Sequence, residues 1–205
     1  MESIYCEQGA NVSIARTLIG STDFSVKGRL SYDDVREDRK LDHFSIAPDY
    51  DGFSKEEYPG IQDAAFDVLP MIKQALAIKN SQKDSDLKII ASAWTAPSWM
   101  KDIDDWYVKP NEDNHYQGHG GVLKQGYEQY YADYLVKYLD EYSNQGVNIW
   151  GLTPVNEPLG NSGQWESMHF SPESQGEFIK HHLGPALKKS GNEDINLLMY
   201  DHNRV

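Results

Sequence analysis

The sequence predicts an α/β fold, and more narrowly part of a (β/α)8 TIM barrel in which parallel strands alternate with helices. Two observations predict it. Short apolar segments alternate with segments of helical period, and polar or aromatic residues directly follow each apolar segment. The alternation is typical of a parallel sheet, and polar groups at the carboxyl ends of strands are typical of a barrel active site. An open doubly wound sheet is the alternative architecture.

Four apolar segments are predicted to be strands that are covered on both faces. Each is rich in β-branched residues or nearly all apolar, as a strand buried in a parallel sheet should be. They are residues 12–20, 87–94, 147–154 and 195–201.

Three segments between these strands are predicted to be helices. In the first, apolar residues recur at helical spacing from Ile61 to Leu76. The second is rich in tyrosine from Tyr127 to Tyr142, which we interpret as core and inter-helix packing rather than as a binding stripe. The third has a predicted N-cap and first-turn proline at residues 171–172 and a C-terminal stop at Gly191.

The charge of the chain disfavours two classes of partner. The net charge of −13 disfavours nucleic acid and anionic membrane surfaces but not a neutral substrate such as a sugar. Cys6 is the only cysteine, residues 1–11 lack the pattern of a signal peptide, and no segment approaches the roughly 18 apolar residues of a membrane span. The seven histidines show no metal-ligand spacing, so neither a metal nor a cofactor is predicted.

Glu157, which lies between Asn156 and Pro158 after the third predicted strand, is a candidate general acid. We expect it to be partly desolvated, walled by Trp150, with Trp94 as a second candidate wall. Desolvation raises the pKa of a carboxyl group and favours its protonated form. The Asn156 amide is suited to hydrogen-bond a sugar hydroxyl beside the reacting carbon. The alternative is an ordinary loop turn that the proline ends.

Two tryptophans lie just beyond the second predicted strand, at Trp94 and Trp99. An indole face at a strand end suits stacking on the C–H face of a pyranose ring. The alternative is that the rings cap the core, and for Trp99 we favour that interpretation. For Trp94 both interpretations stay open.

Arg16 and Asp23 bracket the end of the first predicted strand. Arg16 lies within the strand and needs a carboxylate partner if it is buried, so a plain ion pair is one explanation for it. Asp23 is suited to accept hydrogen bonds from sugar hydroxyls, but from local sequence alone an N-cap or turn position is the stronger explanation.

Six stretches together make the chain similar to one enzyme family. They are residues 13–16 (SIAR) with 23–25 (DFS), 91–101 (ASAWTAPSWMK), 153–158 (TPVNEP), 165–168 (WESM), 178–185 (FIKHHLGP) and 198–204 (LMYDHNR). The chain resembles glycoside hydrolase family 30, the family of glucosylceramidases and microbial β-1,6-glucanases. Asn-Glu-Pro alone occurs in many barrel glycosidases, but its spacing from the tryptophan-containing stretch is more specific.

The resemblance implies a retaining β-glycoside hydrolase that acts on a carbohydrate or glycolipid, with glucosylceramidase-like activity ranked above β-1,6-glucanase activity. It implies that Glu157 is the acid/base, that Asn156 contacts the sugar 2-hydroxyl, and that Asp23 and Trp94 bind the glycone. Arg16 is implied to steady the carboxylates from behind. The resemblance also suggests a secreted or periplasmic location, although no signal peptide is present.

The resemblance further implies that residues 1–205 are the N-terminal part of a TIM-barrel catalytic domain, covering about strands two to five. The nucleophile of the family follows the seventh strand, and the first strand and a β-sandwich side domain are also expected elsewhere. Glu166 and Glu173 are in the wrong place to substitute for the nucleophile. We therefore expect the isolated chain to be inactive, with the missing C-terminal part as its natural partner.

Two other hypotheses are compatible with the sequence. The first is a sugar-binding fragment that keeps Asp23, Trp94 and Asn156 but performs no chemistry. The second is a nucleotide-using α/β enzyme, which the absence of a G-x-G-x-x-G motif after any predicted strand disfavours.

Overall fold

Four parallel strands form the centre of the molecule. The computed structural model of the chain describes residues 1–25, 28–51, 67–83, 85–160 and 163–203. The strands are β1 (Ile14–Ile19), β2 (Lys88–Ala93), β3 (Gly151–Thr153) and β4 (Asn196–Leu197). They lie side by side in chain order, β1-β2-β3-β4, so the predicted parallel sheet is confirmed.

The sheet narrows from β1 to β4. All six residues of β1 pair with β2, three residues of β2 pair with β3, and two residues of β3 pair with β4. A Cβ atom at Gly151, the first residue of β3, would lie 2.8 Å from the Leu198 side chain. Beyond the last pairs, a single parallel bridge joins Asn156 to Asp201, which keeps the segments after β3 and β4 together.

Apart from α1, which precedes β1, the helices lie between successive strands, as the alternating pattern predicted. They are α1 (Glu2–Tyr5), α2 (Val68–Asn80), α3 (Glu128–Asn144), α4 (Pro172–Phe178) and α5 (Gly184–Ser190). Short 3-10 turns occupy Ala47–Asp49 and Ser98–Met100, and a π-helical turn, Ile179–Leu183, joins α4 to α5.

Tyrosine rings from α3 fill much of the core. Tyr131, Tyr134, Tyr138 and Tyr142 recur at three- and four-residue steps and are at most 1% exposed. Tyr142 also donates a hydrogen bond to Asp49, a buried carboxylate that accepts a second bond from Tyr32. The core interpretation of the tyrosine-rich helix is therefore confirmed.

The third predicted helix begins and ends where the sequence indicated. Ser171 and Ser174 form a capping box at the start of α4, and Pro172 occupies the first turn. Gly191 closes α5 with φ = 81°, a left-handed conformation that suits glycine. The π turn between them was not predicted, because its side chains follow the same helical period as their neighbours.

Several bounds differ from the predicted ones. The first predicted helix begins later, at Val68, where the Asp67 carboxylate caps its amide, and it runs on to Asn80. Ile61 and Ala65, which opened the prediction, lie outside the described residues. The third strand is shorter than predicted because residues 147–149 lead out of α3 before backbone hydrogen bonds to the neighbouring strands begin at Trp150. There the Val147 amide donates to the Tyr142 carbonyl.

Candidate active site

The predicted site residues gather at the carboxyl edge of the sheet. Asp23 follows β1 by four residues, Trp94 follows β2 directly, and Asn156 and Glu157 follow β3. Because the strands are parallel and in register, these positions lie along one edge. Asp201 follows β4 at the same edge, where the bridge to Asn156 holds it.

Arg16, on β1, links its strand to residues on or after the other three strands. Its Nε atom donates to Ser92 Oγ at 2.9 Å, and its Nη2 atom donates to Asn156 Oδ1 at 2.7 Å. The same Nη2 atom lies 2.5 Å from Asp201 Oδ2, in an ion pair whose side chains are 39% and 35% exposed. A guanidinium group presents its donors in a fixed fork. Arg16 therefore fixes the Asn156 amide relative to β1 and β4.

Trp94 is bound on two sides. Its indole Nε1 atom donates to Asp23 Oδ1 at 3.1 Å, and the Arg16 guanidinium carbon lies 4.8 Å from the ring centroid. Only 5% of Trp94 is exposed. The structure therefore gives Trp94 a positioning contact to Asp23 and a cation–π contact to Arg16, with little of the ring open to solvent.

Glu157 has a constrained backbone and a partly buried side chain. Its φ of 48° lies in the left-handed region, which non-glycine residues rarely adopt. The Glu157 amide donates to the Asp201 carbonyl at 2.8 Å, and the preceding amide, of Asn156, donates to the Ala93 carbonyl at 2.6 Å. These bonds tie the Asn-Glu pair to both neighbouring strands.

The Glu157 carboxylate has a side-chain donor of its own. Asn203 Nδ2 donates to Glu157 Oε1 at 2.9 Å. Asn203 therefore fixes one oxygen of the Glu157 carboxylate. Arg204, the last residue of the matching stretch, lies outside the described residues.

Sequence reasoning did not assign Ser92, Asp201 or Asn203 to the site. A signal existed for each. Ser92 is a polar residue inside an apolar strand, Asp201 is the last residue of the last predicted strand, and Asn203 follows soon after it. Ser92 is fully buried and accepts from both Arg16 and Thr153, which explains why the strand carries a hydroxyl there.

The expectation that Trp150 walls Glu157 is wrong. Trp150 directly precedes β3, so it lies at the amino edge of the sheet, whereas Glu157 lies beyond the carboxyl edge. Its ring packs under the Lys88 ammonium, 5.0 Å from the centroid, where β2 begins. The error came from treating residues 147–154 as one strand end, although an extended segment moves about 3.3 Å per residue.

Trp99 is a core residue, as we favoured. It is 2% exposed and its indole donates to the Asp33 carbonyl at 2.9 Å. Within the described residues, no three histidine, cysteine or acidic side chains are grouped so as to hold a metal ion. None of the helices in the described ranges is both long and apolar enough to cross a bilayer.

Comparison with known proteins gives consistent results. The family model described as "Glycosyl hydrolase family 30 TIM-barrel domain" matches residues 1–205. The chain is 35% identical over 210 residues to "Putative glucosylceramidase 1" of Caenorhabditis elegans, covering all of this chain and 35% of that protein. It is 33% identical over 198 residues to "Endo-1,6-beta-D-glucanase neg1" of Aspergillus fumigatus, covering 95% of this chain and 37% of that protein.

A solved structure shows the same fold. The structure of an endo-beta1,6-glucanase superposes with a TM-score of 0.73 at 29% identity, and the match covers 98% of this chain and 38% of that one. The chain therefore spans little more than a third of the length of the proteins that it matches.

Proposed function

The chain belongs to glycosyl hydrolase family 30, and on that premise we propose that it builds the acid/base side of a retaining β-glycosidase active site, with Glu157 as the acid/base. The observation that carries the proposal is the placement of Glu157 at the carboxyl edge, with its backbone bonded to Asp201 and its carboxylate bonded to Asn203. A barrel presents its catalytic groups at that edge.

Glu157 would act in both halves of the reaction. In the first half its carboxyl proton passes to the glycosidic oxygen as the bond from that oxygen to the anomeric carbon breaks. A second carboxylate bonds to the same carbon. In the second half the Glu157 carboxylate takes a proton from water, the water oxygen bonds to the anomeric carbon, and the second carboxylate leaves.

Asp23, Trp94 and Asn156 are proposed to bind the glycone. Asp23 and Trp94 are hydrogen-bonded to each other, and Asn156 is held by Arg16, so the three side chains are fixed relative to one another before any sugar binds. Pre-organisation of this kind lowers the entropic cost of binding. Arg16 is proposed as a positioning residue, because its donors are directed at Ser92, Asn156 and Asp201.

We propose that the nucleophile comes from a segment outside these 205 residues. Retaining glycosidases place their two carboxyl groups about 5–5.5 Å apart. Asp201 is at the edge but forms an ion pair with Arg16, and Asp23 accepts from Trp94. Glu166 is buried and bonded to Ser21, and Glu173 lies in the first turn of α4. Each of these carboxylates has a local structural explanation, as an ion-pair partner, a hydrogen-bond acceptor or a first-turn helix residue.

The test is an assay of the purified chain on an aryl β-glucoside, together with calorimetry using methyl β-D-glucoside. We expect glucoside binding without turnover, and we expect Asp23→Asn to weaken binding more than Glu157→Gln does. If the chain turns over the glucoside and Glu157→Gln abolishes that turnover, the proposal that the nucleophile lies outside these residues is refuted. Absence of binding by a folded chain would contradict the proposed glycone site.

Two substrate classes remain in competition. We rank a glucosylceramidase-like activity on a lipid-linked glucoside first, with a β-1,6-glucanase as the alternative, and relatives of both names match the chain. Competition calorimetry would separate them, with glucosylceramide in detergent micelles against a β-1,6-linked glucose disaccharide. If the chain binds the sugar but no added C-terminal segment restores turnover, we would conclude that the chain is a carbohydrate-binding fragment without catalytic activity.

The family resemblance also leads us to propose a secreted or periplasmic location. Fractionation of the source cells, followed by immunodetection of the chain, tests it. Recovery in the cytosolic fraction alone would contradict it.

A further inference from the structure

Lys101, at the end of the tryptophan-containing stretch, is a fully buried lysine. It is 0% exposed, and its ammonium donates to two backbone carbonyls, Trp106 O at 2.6 Å and Ser167 O at 2.9 Å. Trp106 belongs to the loop after β2 and Ser167 to the loop after β3. One buried side chain therefore fastens two loops that lead away from the carboxyl edge.

A second buried charged group extends this connection to the loop after β1. Glu166 precedes Ser167, is 5% exposed and accepts a hydrogen bond from Ser21 Oγ at 3.1 Å. Ser21 Oγ in turn accepts from the Leu30 amide at 3.0 Å. Lys101, Glu166, Ser167 and Ser21 form what we call the loop clasp, and it contacts the loops after all of β1, β2 and β3.

The backbone around the clasp is closely fitted. A Cβ atom at Gly120 would lie 2.3 Å from Ser167 Oγ and 2.4 Å from Ser167 O, so the loop after β2 reaches Ser167 only through a glycine. The Phe170 amide donates to the Pro158 carbonyl at 2.7 Å and closes the loop that begins at Glu157. A shift of Ser167 would therefore be passed to the residue next to Glu157.

The burial of an ammonium group at this point has an energetic cost. Burial lowers the pKa of Lys101 to about 7, against the opposing attraction of Asp105, Asp102 and Glu166. An apolar side chain of similar volume would avoid that cost, and replacing buried charges in this way is often neutral or stabilising. A lysine in this place is therefore better explained by the fixed geometry that its directed hydrogen bonds impose.

We propose that Lys101 is a positioning residue, which holds the loops after β1, β2 and β3 in the arrangement that brings Asp23, Trp94 and Glu157 together. It acts through Ser167 and Glu166 and contacts no substrate. The inference deepens the proposed function and rests on it, since it concerns the same site. The effect of Lys101 on these loops can nevertheless be measured without an activity assay.

The test uses the indole N–H of Trp94 as a reporter in the full 205-residue chain, because that proton bonds to Asp23 across two of the loops. We expect Lys101→Met to accelerate hydrogen exchange of the Trp94 indole and of the Glu157 amide by about ten-fold or more. That factor corresponds to the loss of one charge-assisted hydrogen bond. The amides of α3 should be unaffected, and nuclear magnetic resonance resolves both sets.

Lys79 provides a matched control. It is also nearly fully buried, at 2%, and donates to Asn11 Oδ1 at 2.7 Å, but it lies at the end of α2. Lys79→Met should leave the Trp94 indole unchanged. Lys101→Gln, which keeps a neutral donor, should give an intermediate acceleration and serves if Lys101→Met does not fold. Exchange at Trp94 that stays unchanged, or that rises only in parallel with α3, would overturn the inference, whether or not the chain binds sugar.

Discussion

The backbone of Glu157 adopts a conformation that few side chains tolerate. Its φ is 48°, and two backbone hydrogen bonds hold this conformation. The Glu157 amide donates to the Asp201 carbonyl, and the Glu157 carbonyl accepts from the Gly160 amide. Strained backbone of this kind costs of order 1–3 kcal/mol and persists only where the surroundings enforce it. The turn aims the carboxylate at Asn203, so the strain accompanies the orientation of the proposed acid/base.

A pair of substitutions measures this strain. We expect Glu157→Gly to be more stable than Glu157→Ala by about 1 kcal/mol, because glycine accepts positive φ and alanine does not. Both variants lose the carboxylate and its bond to Asn203, so the difference isolates the backbone. Urea unfolding of the two variants gives the free energies. Equal stabilities would show that the conformation carries no measurable strain.

At the residue scale, the sequence predicted which residues belong to the candidate site better than it predicted which residues they contact. Arg16, Asp23, Trp94, Asn156 and Glu157 were all chosen from strand ends and motif, and the structure brings them to one edge. What the sequence could not give was the pairing across strands, because contacts such as Arg16 with Asp201 join residues 185 positions apart.

At the scale of elements, the segment that follows β1 contains a buried carboxyl group, Asp33, beside a less buried one, Asp38. Asp33 is 1% exposed, and the Asp38 side chain lies within hydrogen-bonding reach of it. Burial and the Asp38 charge raise the pKa of Asp33 to about 7, whereas the Val35 amide and His43 oppose the shift. A proton shared between the two carboxyls would satisfy Asp33 Oδ2, which has no other partner in the described residues.

This pair predicts a pH dependence of stability. The folded-state pKa of Asp33 lies above its ordinary value, so the stabilisation is complete below about pH 4 and is lost as the pH rises to about 7. We expect Asp33→Asn, which mimics the protonated form, to remove that slope from thermal unfolding midpoints measured between about pH 4 and 8. Asp34→Asn makes the same charge change one residue away and should keep the pH slope. If Asp34→Asn also removes the slope, the pH dependence does not come from Asp33.

Helices were predicted more accurately than strands. The interiors of α3 and of the α4–α5 segment carry long periodic patterns, whereas β3 and β4 have only three and two paired residues. Strand ends are decided by which neighbouring segment lies within hydrogen-bonding distance, as the two-residue pairing of β3 with β4 shows. A local pattern contains no information on that distance, which is why Trp150 was assigned to the wrong edge.

At the scale of the whole molecule, the four strands form an open row with β1 at one side and β4 at the other. Closing an eight-stranded barrel needs twice as many strands. The proteins that the chain matches are almost three times as long. The carboxyl edge of this sheet therefore carries the proposed acid/base, one of the two carboxyl groups that the proposed mechanism needs. The purified chain can be used to test whether the second carboxyl group must be supplied by another segment.

The stacked tyrosines of the core give the chain an alkaline limit. Burial raises the pKa values of Tyr32, Tyr131, Tyr134, Tyr138 and Tyr142 above the ordinary range. These phenols ionise when the chain unfolds, so stability should fall as the pH passes about 10. We expect phenolate absorbance from them to rise together with the loss of helical circular dichroism. Ionisation that precedes unfolding would contradict this expectation. If the two coincide, the phenolate absorbance of the core tyrosines is a direct optical measure of the fraction of unfolded molecules.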